Sequence, residues 1–460
     1  MLPVSDKSTS LRSRVLHAGS WTLGGHALGQ VLRLAANLLM TRLLVPEMFG
    51  VMAVATIFLV GLTLFSDLGL KQVVIQSRRS EDALFLNTVW VVQILRGVFI
   101  FLLVLLFAWG LLQAIENAWL PPGSTYANPE LPRVLAWLAI SPLISGFEST
   151  KLQTANRNLN LSRVVSIEFW SQLSGILTMV LWAMNSPSLS AMVAGALVSA
   201  LVKTVLSHIW LQGITNGLAW DAVAAREIVN FGKWIFATSI IGFLISNGDR
   251  LIVGWLIPAE SMGVYAIAML LAGAMQDVVQ KIIGSVVFPA LGKVSRETPH
   301  RLKELYYRLR LPVDAFCLLL AGFVAVAGQS IVHILYDHRY AGAGPLLQIL
   351  ALNLVLLRFS VAGQLYLVSG QPRGMALQMF SRLLSIFLFI PLGFNFAGLP
   401  GAALGVVLAG VPEFLIVFFG IKRSMGLIDY RLEFRNFLIL PLGMLSGWFF
   451  LLFVENVFHK

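Results

Sequence analysis

Long apolar runs, broken by short clusters of charge, Pro and Gly, recur along the chain from Ser20 to about residue 455. Each is long enough to cross about 30 Å of hydrocarbon as a helix, the form in which a single segment satisfies its own backbone groups in lipid. The pattern predicts spans near 20–44, 49–70, 86–114, 133–150, 164–185, 188–210, 234–257, 262–290, 311–334, 344–369, 374–396, 399–421 and 437–455. The fold class expected is therefore all-α and polytopic.

Lys and Arg sort the loops into two sets. One holds Lys7, Arg12, Arg14, Lys71, Arg78, Arg79, Lys151, Arg157, Arg163, Lys203, Arg226 and Lys233. It continues with Lys293, Arg296, Arg301, Lys303, Arg308, Arg310, Arg373, Arg382, Lys422, Arg423, Arg431 and Arg435. The other set holds only Arg133, Arg339 and Lys460. Cytoplasmic loops carry the Lys/Arg excess, so the N-terminus is expected inside. "MLPVSDKSTSLRSRVLHAGS" reads as a retained cytoplasmic tail rather than a cleaved signal.

Composition agrees with the pattern. The chain is 57% hydrophobic and 12% charged, with a mean hydropathy of +0.81, whereas soluble domains carry about 25% charge. The net charge of +11 sits in the loops of one side, so it needs no nucleic acid to explain it. Cys317 is the single cysteine, which excludes an internal disulfide and a thiolate metal site.

The chain also repeats itself. "PEMFGVMAVA" from Pro46 and "PAESMGVYAIA" from Pro258 each place a Pro and an acid before a Gly-Val-x-Ala-x-Ala span, at Gly50 and Gly263. With the similar spacing of later spans, this predicts two parallel six-helix halves, a transporter signature with the site between them. The expected boundaries are a tail 1–18, an N-lobe 19–212, a connector 213–232, a C-lobe 233–425 and a segment 426–460 with a possible thirteenth span. Trp220, Val223, Ala224, Ile228 and Phe231 share one face of the connector, as in a helix lying along the interface.

Ionisable groups inside spans mark pathways by default. Between Lys233 and Pro258 lie Asp249 and Arg250, and adjacent residues on a helix do not face each other, so the two need separate partners. Arg33, Arg96, Arg250, Lys281 and Arg358 are the candidates for a cationic cavity, and Arg42 reads as an anchor at a helix end. Asp249, Asp277 and Glu413 are candidates for ion coupling, Asp277 and Lys281 being also spaced as a structural pair. Glu168 and Asp314 are expected to be solvated near cytoplasmic ends. Gly25-x-x-x-Gly29 and Gly401-x-x-x-Gly405 read as packing faces. Several arginines and few acids suit a phosphorylated headgroup, because the planar guanidinium donates paired bonds to phosphate.

"SDLGLKQVVIQ" (66–76), "NGDRLIVGWLIPAESMGVYAIA" (247–268), "LYDHRYAGAGPLLQILAL" (335–352) and "SGQPR" (369–373) together resemble polysaccharide-transport flippases, the O-antigen and colanic-acid exporters of the multidrug/oligosaccharidyl-lipid/polysaccharide (MOP) superfamily. The resemblance spans about residues 15–425. It implies two six-helix lobes around a cationic cavity, and alternating access that carries undecaprenyl-pyrophosphate-linked oligosaccharide across the bacterial inner membrane. Asp249 and Arg250 match the family's Asp-Arg; Arg33 corresponds by position. A monomer with no cofactor is expected, working among membrane lipids, with a polysaccharide polymerase and a chain-length regulator as possible partners.

The rivals are a lipid II-type flippase, a drug–cation antiporter, which would want acids in the cavity, and a membrane polymerase or glycosyltransferase. No Asp-x-Asp, His-Glu-x-x-His or Gly-x-x-x-x-Gly-Lys motif is present, so an enzyme is not expected.

Overall fold

The computed structural model describes residues 11–66, 69–77, 79, 81–158, 160–426, 429 and 435–458. Residues 1–10 of the expected tail, and Arg78, Arg431 and Lys460, lie outside them. All regular elements among the described residues are helical, and each predicted span has a helical counterpart in chain order. Nine of these helical stretches are long and apolar enough to cross a membrane, among the described residues. The molecule is a multi-pass membrane protein.

Packing divides the chain into two compact units. The first comprises Met1–Leu44, Ala55–Leu120 and Ala127–Ile240. Its helices are α1 (Leu11–Leu43), the second half of α2 (Pro46–Leu64), α3 (Leu70–Gln76), α4 (Ala83–Glu116), α5 (Glu130–Leu138), α6 (Ile140–Gly146), α7 (Lys151–Arg157), α8 (Leu161–Asn185) and α9 (Leu189–Ile209). The first half of α10 (Ala222–Leu256) completes it. The span predicted at 133–150 is broken between α5 and α6, because Pro142 has no N–H to give the carbonyl four residues earlier.

Within the connector, residues 222–232 form the first turns of a longer helix. It continues straight into the next span as α10, 35 residues long and so about 52 Å. Ala224 and Ile228 are buried against Leu70, Val74, Phe85 and Val89 of α3 and α4. The strand of chain leading into it is pinned by polar groups: Asn216 Oδ1 accepts from Ser149 Oγ at 2.7 Å, and Asn87 Oδ1 accepts from the Gly217 N–H at 2.9 Å. Arg79 bridges Asp82 and Asp221 at 2.8 and 2.9 Å. That guanidinium holds both carboxyls below their usual range.

The second unit comprises Val45–Val54, Pro121–Tyr126 and Ile241–Lys460. Beyond the second half of α10 it holds α11 (Ala259–Ile282), α12 (Phe288–Glu297), α13 (Leu302–Leu335), α14 (Ala343–Ala351), α15 (Asn353–Leu357), α16 (Ser360–Val368), α17 (Pro372–Leu408), α18 (Gly410–Met425) and α19 (Ile439–Phe458). A π turn at Ile283–Val287 joins α11 to α12 where Pro289 interrupts the hydrogen-bond ladder. Helix α17 reverses at Ala397 and Gly398, the latter with φ 59° and ψ −142°, a region only glycine adopts without strain. The two arms then lie together with Gly393 and Gly401 facing each other's carbonyls. This is the boundary the sequence placed between spans 374–396 and 399–421.

The thirteenth predicted span is α19, which packs along α13. Gly322 faces the Leu440 carbonyl and Gly443 faces the Leu319 carbonyl. Beside that contact lies a buried ionic knot. Asp314, expected in solvent, is 0% exposed and accepts from Arg310 Nε at 3.3 Å, Arg358 Nη1 at 3.1 Å and Asn436 Nδ2 at 2.9 Å. Arg310 also donates to Tyr306. The Phe359 ring lies 4.6 Å from the Arg310 guanidinium and 4.4 Å from that of Arg358, and Phe437 covers Arg358 at 4.1 Å. Two cations share one carboxylate where a lone charge is costly.

Candidate functional site

The second unit encloses a cavity of about 380 Å³ inside its bundle. Four helices supply its charge. Asp249 and Arg250 come from α10, Asp277 from α11, and Arg382 and Glu413 from α17 and α18. The amides of Gln276, Gln280, Asn353 and Gln378 line it as well.

Local geometry explains each position. Asp249 is 5% exposed and accepts from the Tyr265 hydroxyl at 3.0 Å. Arg250, one residue on and rotated by about 100°, is half-buried and reaches Asn247 Oδ1 at 3.4 Å. The two therefore have separate partners, as their adjacency requires. Glu413 accepts from Gln378 Nε2 at 2.8 Å and lies 3.8 Å from Arg382 Nε. Gly410 leaves room for Arg382, since a Cβ there would meet its Nη1 at 2.6 Å. Asp277 is exposed on the cavity wall. No group of three or more His, Cys, Asp or Glu able to hold a metal occurs among the described residues.

The structure gathers Asp249, Arg250, Asp277 and Glu413 at this cavity and places the other candidates elsewhere. Arg33 is exposed on α1. Arg96 donates to the Thr63 carbonyl at 2.9 Å and to Ser66 Oγ at 3.2 Å, a cation at the C-terminal end of α2 where the helix dipole favours one. Arg358 is 0% exposed inside the ionic knot. Lys281 is half-buried on α11, outside the cavity lining. Arg382 was assigned to the basic loops, yet it is a lining residue with its side chain 14% exposed. Counting from Pro372 would have found it: ten residues of helix carry it about 15 Å into the span.

The charge balance here is not cationic. Three carboxylates face two guanidiniums, so the expected dominance of arginine does not describe this cavity.

Comparison with known proteins fits this architecture. Residues 39–345 match the family described as polysaccharide biosynthesis protein. The chain belongs to that family. It is 24% identical over 434 residues to the lipopolysaccharide biosynthesis protein WzxC of Escherichia coli (strain K12), covering 92% of this chain and 84% of that protein. It is 23% identical over 332 residues to a putative O-antigen transporter of Shigella flexneri, covering 66% of this chain and 74% of the relative. Among solved structures, the lipid II flippase MurJ in its inward closed conformation matches with a TM-score of 0.67 at 12% identity, over 96% of this chain and 99% of that one. An inward-facing multidrug resistance MATE family transporter of the MOP superfamily matches with a TM-score of 0.67 at 13% identity, over 87% and 95%. This member of the polysaccharide biosynthesis family thus has the MOP flippase fold.

Proposed function

We propose that the chain is a flippase that moves undecaprenyl-pyrophosphate-linked oligosaccharide across the bacterial inner membrane for surface polysaccharide synthesis. The observation that carries this reading is the convergence of five ionisable side chains on one cavity inside a bundle of membrane-spanning helices. A purely structural bundle has no use for such a lining, because uncompensated charge at that depth is expensive. Relatives named for lipopolysaccharide synthesis, O-antigen transport and succinoglycan transport (the last in Rhizobium meliloti) supply the cargo class.

In this reading the N-terminus lies inside, as the loop charges require. The lobes 19–212 and 233–425 alternate in access, and the protein works as a monomer, passing its product to a polymerase. Asp249, Asp277 and Glu413 bind the driving cation or proton, and that ion biases the conformational equilibrium through its different affinity for the two states. The headgroup is met by Arg250 and Arg382, the two cations that line that cavity.

Deleting the gene tests the reading. Lipid-linked repeat units should accumulate on the cytoplasmic leaflet and return to the outside on complementation. Single repeats displayed outside the deleted cell would instead mark a polymerase and overturn it. Collapsing proton and sodium gradients separately in vesicles tests the coupling; transport indifferent to both removes that role from the carboxylates.

A further inference from the structure

The first unit carries a groove of its own, about 320 Å³, between α1 and α8. Gly24, Gly25 and Leu28 line it from α1, and Val165, Phe169 and Trp170 from α8, where Ser166 adds a hydroxyl. Close packing accounts for part of this wall. A Cβ on Gly25 would run into the Val165 side chain, and one on Gly29 would lie 3.2 Å from Gln172 Oε1. The Gln172 amide donates to the Gly29 carbonyl at 3.0 Å. Gly25-x-x-x-Gly29 is therefore the packing face its spacing predicts, seated on α8.

Gly24 is different. The position is exposed, and a Cβ there would meet nothing within 4 Å. Packing on α8 does not require this glycine; the space beside it is the groove. Leu28 and Trp170 are 52% and 48% exposed, which leaves the trough open along one side. On α8 the trough runs up to a charge. Residues three, four and seven apart share a helix face, so Arg163, Ser166 and Trp170 form one stripe. Arg163 is exposed and precedes Ser166 by about 4.5 Å along the axis. Cation, hydroxyl and apolar trough thus follow one another from the helix start, the order of head and hydrocarbon in a phosphorylated lipid.

We infer that this groove seats the first isoprene units of a phosphorylated polyprenyl carrier, with Arg163 at its phosphate. The inference goes beyond the second unit's cavity and rests on the orientation and cargo proposed above, which put Arg163 on the side from which the cargo is taken. Lipid tails are as apolar as the groove, so burial alone selects nothing; fit and the head must do so. A trough with one helix on each side holds a single chain, and the second chain of a diacyl phospholipid would be left outside it. The methyl branches of a polyprenyl chain need the width that Gly24 and Gly25 leave open. A guanidinium supplies charge-assisted bonds to the phosphate.

The test uses purified full-length protein in phosphatidylcholine nanodiscs, with undecaprenol, undecaprenyl phosphate and phosphatidylglycerol as probes and native mass spectrometry as the readout. The wild type should bind undecaprenyl phosphate about tenfold more tightly than phosphatidylglycerol. Gly24→Leu fills the groove from a position with room for a side chain, and Leu is the better helix former. It should weaken both polyprenyl probes about tenfold at an unchanged melting temperature. Arg163→Gln should weaken undecaprenyl phosphate and leave undecaprenol as it was. Gly24→Leu protein that binds undecaprenol like the wild type overturns the inference. So does equal affinity for phosphatidylglycerol, which would make the groove a general phospholipid seat, or an Arg163→Gln variant with undiminished affinity for undecaprenyl phosphate. If Gly24→Leu fails to fold, Trp170→Ala, at a half-exposed position, takes its place with the same expectation. Undecaprenol carries no phosphate, so its binding does not depend on Arg250 or Arg382. No transport is involved in the readout: failure of the flippase reading leaves the groove standing, and an empty groove leaves that reading standing.

Discussion

At the residue scale, the decisive distinction is between ionisable groups that face the cavity and those tied into the fold. Arg382 and Arg358 both lie deep in helices, but only Arg382 lines the cavity, across from Glu413. Arg382→Ala should abolish surface polysaccharide at normal protein level, and Arg382→Lys should restore part of it if a point charge is enough; immunoblot and polysaccharide gels read both. Asp314 behaves differently. Asp314→Ala leaves two buried guanidiniums without their carboxylate, which should cost about 3–5 kcal/mol and appear as loss of protein from the membrane and a lowered melting temperature in detergent. Replacing Arg310, Asp314 and Arg358 together by Met, Leu and Met should recover most of that loss. The sequence made Asp249 and Arg250 legible because charge inside an apolar run is conspicuous. It misled at Asp314 and Arg382, whose surroundings depend on helices far away in the chain. Arg358 stood out for the same reason as Arg250, and only tertiary packing separates a lining residue from a sealed one.

At the element scale, hydropathy located the helices and could not show their interruptions. Breaks at Pro142 and Pro289 follow from a missing N–H and were readable in principle. The continuation of the connector into α10 was not, because its amphipathic face fits an interfacial helix as well as one packed on α3 and α4. The reversal at Gly398 is the most sequence-dependent feature of the second unit. Gly398→Ala should destabilise by about 1–3 kcal/mol, and Gly398→Asn should not rescue it, since the ψ there lies outside the left-handed helical region that Asn tolerates. Thermal unfolding of purified protein checks both. The Arg79 bridge is partly exposed, and its contribution is correspondingly small and screened. Asp82 and Asp221 have lowered pKa values, so the bridge is fully present above the ordinary carboxylate range and is lost as pH falls through the lowered values. The melting-temperature difference between the wild type and Arg79→Ala should therefore be constant from about pH 8 to pH 5 and shrink as pH falls below about 4 through the lowered values.

At the scale of the whole molecule, the run of spans was enough to anticipate an all-α, multi-pass membrane protein, and the resemblance of four motifs pointed to the MOP flippase fold. What the sequence concealed was the charge balance of the second unit's cavity, where carboxylates outnumber arginines. Reversing that balance should change coupling more than cargo: Asp249→Asn with Glu413→Gln should make transport in vesicles insensitive to the imposed gradient, while binding of lipid-linked oligosaccharide persists. The ionic knot also bears on how the protein is made. Asp314 and its partner Asn436 are 122 residues apart, so α13 must enter the bilayer long before the amide and the Phe437 ring that complete its polar cluster have left the ribosome. Until α19 arrives, the Arg310–Asp314–Arg358 cluster lacks that amide and that ring.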